Sequence, residues 1–192
     1  MMTQNKFKRI AKAYEKFMLE LGLNLNDPNT KETPNRVAKM YIEDIFSGIY
    51  KDEPKITTFP NIDGYDGIVF QGNIEVKSVC SHHHCPFIGK AFVAYIPSKD
   101  GVIIGLSKLN RIVDWIARRP QVQENLTMQI HDFLNKKIIN NQGIAIYIEA
   151  EHTCVSLRGI KQDSKMKTAK LSGKFFDDPK TREEFYNFIK LK

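Results

Sequence analysis

The 192-residue sequence has no apolar run near the ~20 residues that a membrane-spanning helix needs. Met1 to Ile10 is polar and basic, and no apolar stretch follows it as in a secretory signal. The expectation is a cytoplasmic protein without a membrane partner. No internal repeat and no long low-complexity segment interrupts the chain. Cysteine is scarce: three residues, an odd number, which disfavours a disulfide framework and favours metal or catalytic use. Charged residues at 27% and hydrophobic residues at 42% exclude a wholly disordered chain. The length suits one domain, or one with a small appendage, and is enough to bury a core without disulfides.

The net charge of +7 suggests an anionic partner without choosing its kind. Residues 1–64 carry 10 basic and 9 acidic side chains, so the excess lies beyond them. Much of it falls between Arg158 and Lys174, where Arg158, Lys161, Lys165, Lys167, Lys170 and Lys174 face only Asp163. The later lysines read as protection of an edge strand against sheet-to-sheet pairing. An anion site is the sharper alternative.

The few cysteines and histidines are concentrated. All three cysteines and four of five histidines lie in Cys80-Ser81-His82-His83-His84-Cys85 and His152-Thr153-Cys154. Cys80 and His83 have the spacing of a zinc-binding pair, and Cys154 can supply a third ligand. Three protein ligands with one free position is the catalytic pattern, and a closed structural site would recruit Cys85 or His84 as a fourth. His131 stands apart on an expected helix as an ordinary packing or surface residue.

Periodicity predicts a helix over residues 7–21, stopped at Gly22, and a second from Thr33-Pro34 to Gly48, with Thr33 as N-cap. A loop rich in Pro, Gly and Asp covers 51–67. Strands are expected over Ile68–Val79 and Gly89–Pro97, with extended chain over Val102–Leu106. Helices follow over Lys108–Arg119 and from Gln121, opened by Pro120, to about Asn140. A strand over Gly143–Ala150, a segment from Cys154 to Ile160 that leads into a further strand, and a last strand over Lys167–Phe176 precede a terminal helix over Pro179–Lys192. This order predicts an α+β protein with a largely antiparallel sheet: a helical region and linker over 1–64, then a sheet domain over 65–192. A small sheet has open edges, and joining sheets between copies into a barrel would remove them.

The sequence also resembles the zinc-dependent GTP cyclohydrolase I family, which has the tunnelling fold, or T-fold. The matching segments include Thr33 to Tyr41, Ile45 to Gly48, Cys80-x-His82-His83, Pro86-Phe87-x-Gly89-Lys90 and Tyr95-Ile96-Pro97. They continue through Gly105 to Val113, Ala117 to Thr127, Glu149-Ala150-x-His152-x-Cys154 and Arg158-Gly159. The resemblance covers the chain from about residue 6. It implies an antiparallel sheet with two packed helices, preceded by an N-terminal helical region. It also implies hydrolysis of the imidazole ring of GTP, with release of formate and formation of 7,8-dihydroneopterin triphosphate.

By that resemblance Cys80, His83 and Cys154 are the Zn2+ ligands, and His82 and His152 the acid–base pair. Gln123 and Glu124 would recognise the guanine edge. Ser107, Lys108, Arg111 and Arg158 would hold ribose and triphosphate, and Arg36 and Lys39 would add phosphate contacts to a neighbouring subunit's site. The family assembles as a homodecamer of two stacked pentamers. The residues make chemical sense in these roles. Histidine titrates near neutral pH, and in a strand His152 and Cys154, at i and i+2, share a face, which puts His152 beside the metal. Lys108 and Arg111 share a face at a helix start. The chain departs from the family at Ser81, where an acidic residue is common, and at His84 and Cys85, usually apolar positions. A related T-fold enzyme, such as a 7-cyano-7-deazaguanine reductase relative, would need a cysteine nucleophile instead of the metal set. A basic zinc module for nucleic acid would need repeated fingers or a basic recognition helix, and neither is present.

Overall fold

A computed structural model describes residues 4–190. The chain folds as two compact units, one ending at Asp52 and one beginning at Glu53.

The first unit is helical. Helix α1 (Gln4–Glu20) buries Ala11 and Met18 and lies against α2 (Thr33–Met40). Gly22, at φ +74°, closes its end in the left-handed conformation that glycine adopts without strain. Thr33 is the first residue of α2 rather than its N-cap: the cap position is Glu32, and no side chain caps there. The single helix expected to reach Gly48 is instead broken into α2, a π-helical turn (Tyr41–Ile45) and α3 (Ser47–Tyr50).

The second unit is built on a five-stranded sheet. Its strands are β2 (Val69–Cys80), β3 (Pro86–Pro97), β5 (Pro120–Gln121), β6 (Asn141–His152) and β7 (Lys165–Leu171), in spatial order β5-β2-β3-β6-β7. All pairings are antiparallel except the short parallel one between β5 and β2. A separate two-stranded ladder joins β1 (Thr58–Pro60) to β4 (Val102–Ile104), so part of the expected loop is a strand.

Strand alternation divides the sheet into two faces. On one, Ile74, Val76, Phe87, Ala91, Val93, Tyr95, Ile144, Ile146 and Ile148 pack under α4 (Leu106–Ala117) and α5 (Gln123–Lys137). Those helices contribute Leu109, Ile112, Val113, Ile116, Leu126, Ile130 and Leu134 to the same core. On the other, Ala94, Ile96 and Ala145 meet Phe175 of α7 (Lys174–Asp177) and Phe185 of α8 (Pro179–Lys190). The rest of that second face carries a charged lattice. Glu75 pairs with Lys77 and Lys90, and Glu149 with Lys165 and Lys167. Two strands, two helices and two strands, after a helical region, form the T-fold that the resemblance implies.

Three expectations for this unit need correction. Pro120 does not open a helix, because Pro120 and Gln121 pair with Val79 and Cys80 and α5 begins at Gln123. β6 ends at His152 and Cys154 lies in one helical turn, α6 (Thr153–Ser156), closed by a bond from Leu157 N to Thr153 O of 3.0 Å, so His152 and Cys154 do not share a strand face as expected. β7 ends at Leu171 rather than Phe176, because Gly173 at φ +54° turns the chain and sends Phe175 into the second core. Leu191 and Lys192 of the expected terminal helix lie outside the described residues. Among the described residues no helix is long and apolar enough to cross a membrane.

Candidate metal centre and active site

The site lies where the ends of β2 and β6 meet the start of α5. Cys80 closes β2, and a tight turn follows. Cys80 N donates to Cys85 O at 2.9 Å, and His84 N donates to Cys80 O at 2.9 Å. His84 sits at φ +53°, so the turn reverses abruptly and presents His82 and His83 to solvent. On the other side of β3, His152 closes β6 and Cys154 follows within α6.

These elements bring together three of the expected residues. One donor atom each from Cys80, His83 and Cys154 lies within 4.8 Å of the other two. With Zn–S near 2.3 Å and Zn–N near 2.0–2.1 Å, tetrahedral ligands stand roughly 3.5–3.8 Å apart. The donors therefore need to close by about 1 Å, within the reach of side-chain rotation. Cys80 is buried, Cys154 half-buried and His83 exposed, so the triad is sheltered on one side and open on the other. Burial, together with the neighbouring Cys80 and Cys85 thiols, pushes the Cys154 thiol above its ordinary range. A bound divalent cation reverses that by favouring the thiolate. Two soft thiols, one imidazole and an open side suit a zinc ion with one exchangeable position.

Two further contacts bear on the triad. His82 Nδ1 lies 3.7 Å from Cys80 Sγ. Arg158 donates through Nη1 to His83 Nε2 at 2.9 Å. A neutral imidazole has one lone pair, so His83 cannot accept from Arg158 and ligate a metal at once. A metal held through His83 would therefore require Arg158 to give up this contact.

His152 is held on two sides. Its ring stacks on Phe87, its cross-strand partner, with centroids 4.6 Å apart and planes at 7°. Its Nε2 lies 2.8 Å from Gln123 Oε1. Burial lowers the His152 pKa, and the nearby Glu124 carboxylate opposes that in part. Gln123, expected at a base edge, is instead wholly buried, and its amide is engaged by His152, β6 and β7. Glu124, one residue on, is exposed.

Ser107, Lys108 and Arg111 lie along the first turns of α4, with Ser107 and Arg111 exposed and Lys108 half-buried. Arg36 and Lys39 are exposed on α2 in the first unit, where Lys39 pairs with Glu43 at 3.8 Å. Sequence reasoning missed Phe87 as the platform under His152, and Thr127 and Thr168 behind Gln123. The register Phe87↔His152 would have found the first, but it requires knowing the strand order. His131, expected to be ordinary, joins α5 to the end of β7 through Ser172 Oγ at 2.9 Å.

Three donors placed so that they could hold a metal ion, a half-buried histidine beside them and an open flank, on a sheet backed by two helices, fit an enzyme of the T-fold class. Comparison with known proteins narrows this. The family model described as GTP cyclohydrolase I matches residues 10–190. The GTP cyclohydrolase 1 of Flavobacterium johnsoniae is 47% identical over 190 residues, covering 98% of this chain and 83% of that protein. That of Haemophilus ducreyi is 45% identical over 193 residues, covering 98% and 87%. That of Streptomyces avermitilis is 45% identical over 184 residues, covering 95% and 90%. Among solved structures, an archaeosine synthase QueF-Like in the apo form aligns over 56% of this chain and 94% of its own, at 16% identity and a TM-score of 0.45, too low to bear on the fold. The chain belongs to the GTP cyclohydrolase I family.

Proposed function

We propose that this protein is a zinc-dependent GTP cyclohydrolase I. It opens the imidazole ring of GTP, releases formate and yields 7,8-dihydroneopterin triphosphate, the entry step to folates and other pterins. The observation that carries the reading is the convergence of Cys80, His83 and Cys154 within 4.8 Å in a chain of this family. Zinc bound there supplies Lewis-acid activation of water at neutral pH, which attack on the purine C8 requires.

The chain's own residues then bind, orient and move protons. His152, whose partial burial favours the neutral ring, accepts and returns protons on the purine and ribose. His82, beside Cys80, is the second acid–base group. Glu124 accepts from the N1–H and 2-amino group of guanine, a pair of donors that adenine does not offer in that arrangement. Ser107, Lys108, Arg111 and Arg158 meet the ribose and triphosphate. The exposed basic start of α4 suits an anion, since helix N-termini carry unpaired N–H groups and the positive dipole end.

Arg36 and Lys39 are assigned phosphate contacts at the site of a neighbouring copy. The assembly is a decamer of two pentamers. An exposed lysine-bearing β7 ends the sheet on one side, and the long β2 is paired only at Val79 and Cys80 on the other, so both edges can join other copies. Thiolate ligands fit the reducing cytoplasm, the compartment assigned here.

The test is turnover. Zinc-loaded protein incubated with GTP yields formate and, after oxidation, a fluorescent neopterin derivative, whereas ATP yields neither. Absence of both products from GTP overturns the reading.

A further inference from the structure

Gln123 is wholly buried at the first position of α5, facing the sheet. Its Nε2 lies 3.1 Å from Ile148 O on β6, 3.1 Å from Met166 O on β7 and 3.1 Å from Thr168 Oγ1. Backbone carbonyl oxygens only accept, so the amide nitrogen, with its two hydrogens, must lie on that side. A flipped amide would set a third oxygen against two carbonyls and leave buried acceptors unpaired.

The surrounding hydroxyls agree with this orientation. Thr127 Oγ1 donates to the Gln123 backbone oxygen at 2.9 Å. Its one hydrogen is thereby used, so across the 2.7 Å contact Thr168 Oγ1 donates to Thr127 Oγ1. Thr168 is left with lone pairs for the Gln123 amide. Each hydroxyl hydrogen in the cluster thus has one consistent place, and the two amide hydrogens are shared among three acceptors.

That fixes the other end of the amide. Oε1 points at His152 Nε2 across 2.8 Å, and an amide oxygen has no hydrogen to give. Nε2 must therefore carry the proton. Phe87, itself fully buried and stacked on the ring at 4.6 Å, holds the imidazole plane in register with that bond. Among the described residues Nδ1 has no protein partner.

We propose that Gln123 is a positioning residue that holds His152 through Nε2–H, as the Nε2–H tautomer, and so leaves the Nδ1 lone pair as the one available to the substrate. The assignment rests on the reading of His152 as an acid–base group, but its first readout needs no turnover.

The experiment is 15N NMR of the histidine rings in the full-length, zinc-loaded protein at a pH where the rings are neutral, with His152 assigned by its loss in His152→Gln. The expected spectrum shows a pyrrole-type Nε2 and a pyridine-type Nδ1. In Gln123→Met, of similar length, the ring shifts toward the Nδ1–H form and kcat falls about tenfold or more, with KM and zinc content near those of the wild type. If that variant fails to fold, Thr168→Val, at a half-buried position, removes one hydrogen-bonding group of the lock and moves the same signals part of the way. A pyridine-type Nε2 in the wild type, or an unchanged tautomer and kcat in the variants, overturns the proposal. Active protein with the wrong tautomer defeats this inference alone, and inactive protein with the expected tautomer defeats the functional reading instead.

Discussion

The two cysteines of the triad differ in burial, so their replacement by serine should separate metal binding from folding. Cys80 is 5% exposed and belongs to the main core, whereas Cys154 is half-buried at its edge. Without metal, Cys80→Ser places a hydroxyl in a packed apolar setting, at a cost of about 1–3 kcal/mol. At Cys154 the same change should stay near 0.5 kcal/mol, as at other sites away from the core. Both changes remove a thiolate, so both should lose the stabilisation that zinc gives the folded state, about 2.7 kcal/mol with free zinc at 100 times its dissociation constant. Urea unfolding at fixed protein concentration, in EDTA and in buffered zinc, measures the two contributions. Zinc per chain after gel filtration measures the ligand set. The expected pattern is Cys154→Ser matching wild type in EDTA and falling below it in zinc, and Cys80→Ser lying below it in both. Full zinc retention by Cys154→Ser, or equal losses by both variants in EDTA, would refute the reasoning.

Three other predictions follow from particular contacts. Arg158→Ala should tighten zinc binding by about three- to tenfold, because it removes both a competing donor to His83 and a nearby positive charge; a chelator competition titration showing weaker binding would contradict this. Glu149 lies below the ordinary carboxyl range because Lys167 and Lys165 outweigh the effect of its burial. A depressed folded pKa contributes stability that is present at neutral pH, starts to fall near the ordinary glutamate value of about 4.3 and is lost as pH drops through the folded value, so Glu149→Gln should cost about 0.5–1 kcal/mol at pH 7, a difference that shrinks steadily on acidification in urea titrations. A side chain at Gly89 would run into the backbone of Glu149 and Ala150 on β6, so Gly89→Ala should cost about 3 kcal/mol in the same assay, and wild-type stability would show that β3 and β6 are not so closely apposed.

Legibility in the sequence followed local physics. α1 is readable because its apolar residues recur at helical spacing and Gly22 ends it. β2 and β6 are readable from alternation, although the bulge between Gln71 and Ile74 shifts the phase of β2. The β1–β4 ladder is not, because two three-residue strands carry no period and their pairing is set by distant packing. The expected β7 runs too far because Lys167 to Phe176 has no internal break strong enough to reveal that Phe175 belongs to another core. At the site, the spacing of Cys80 and His83 and the second segment carrying Cys154 point to a metal set, whose three donors the fold brings within 4.8 Å. The burial of Gln123 is invisible, since a polar residue at a helix start usually faces water, and only the approach of β6 and β7 to α5 encloses it.

The measurement that tests the central claim most directly is GTP turnover as a function of zinc occupancy. Protein stripped with a chelator should release no formate from GTP, and activity should rise linearly with added zinc to a plateau at one zinc per chain. Undiminished formate release from zinc-free protein, or no release at full occupancy, would contradict it.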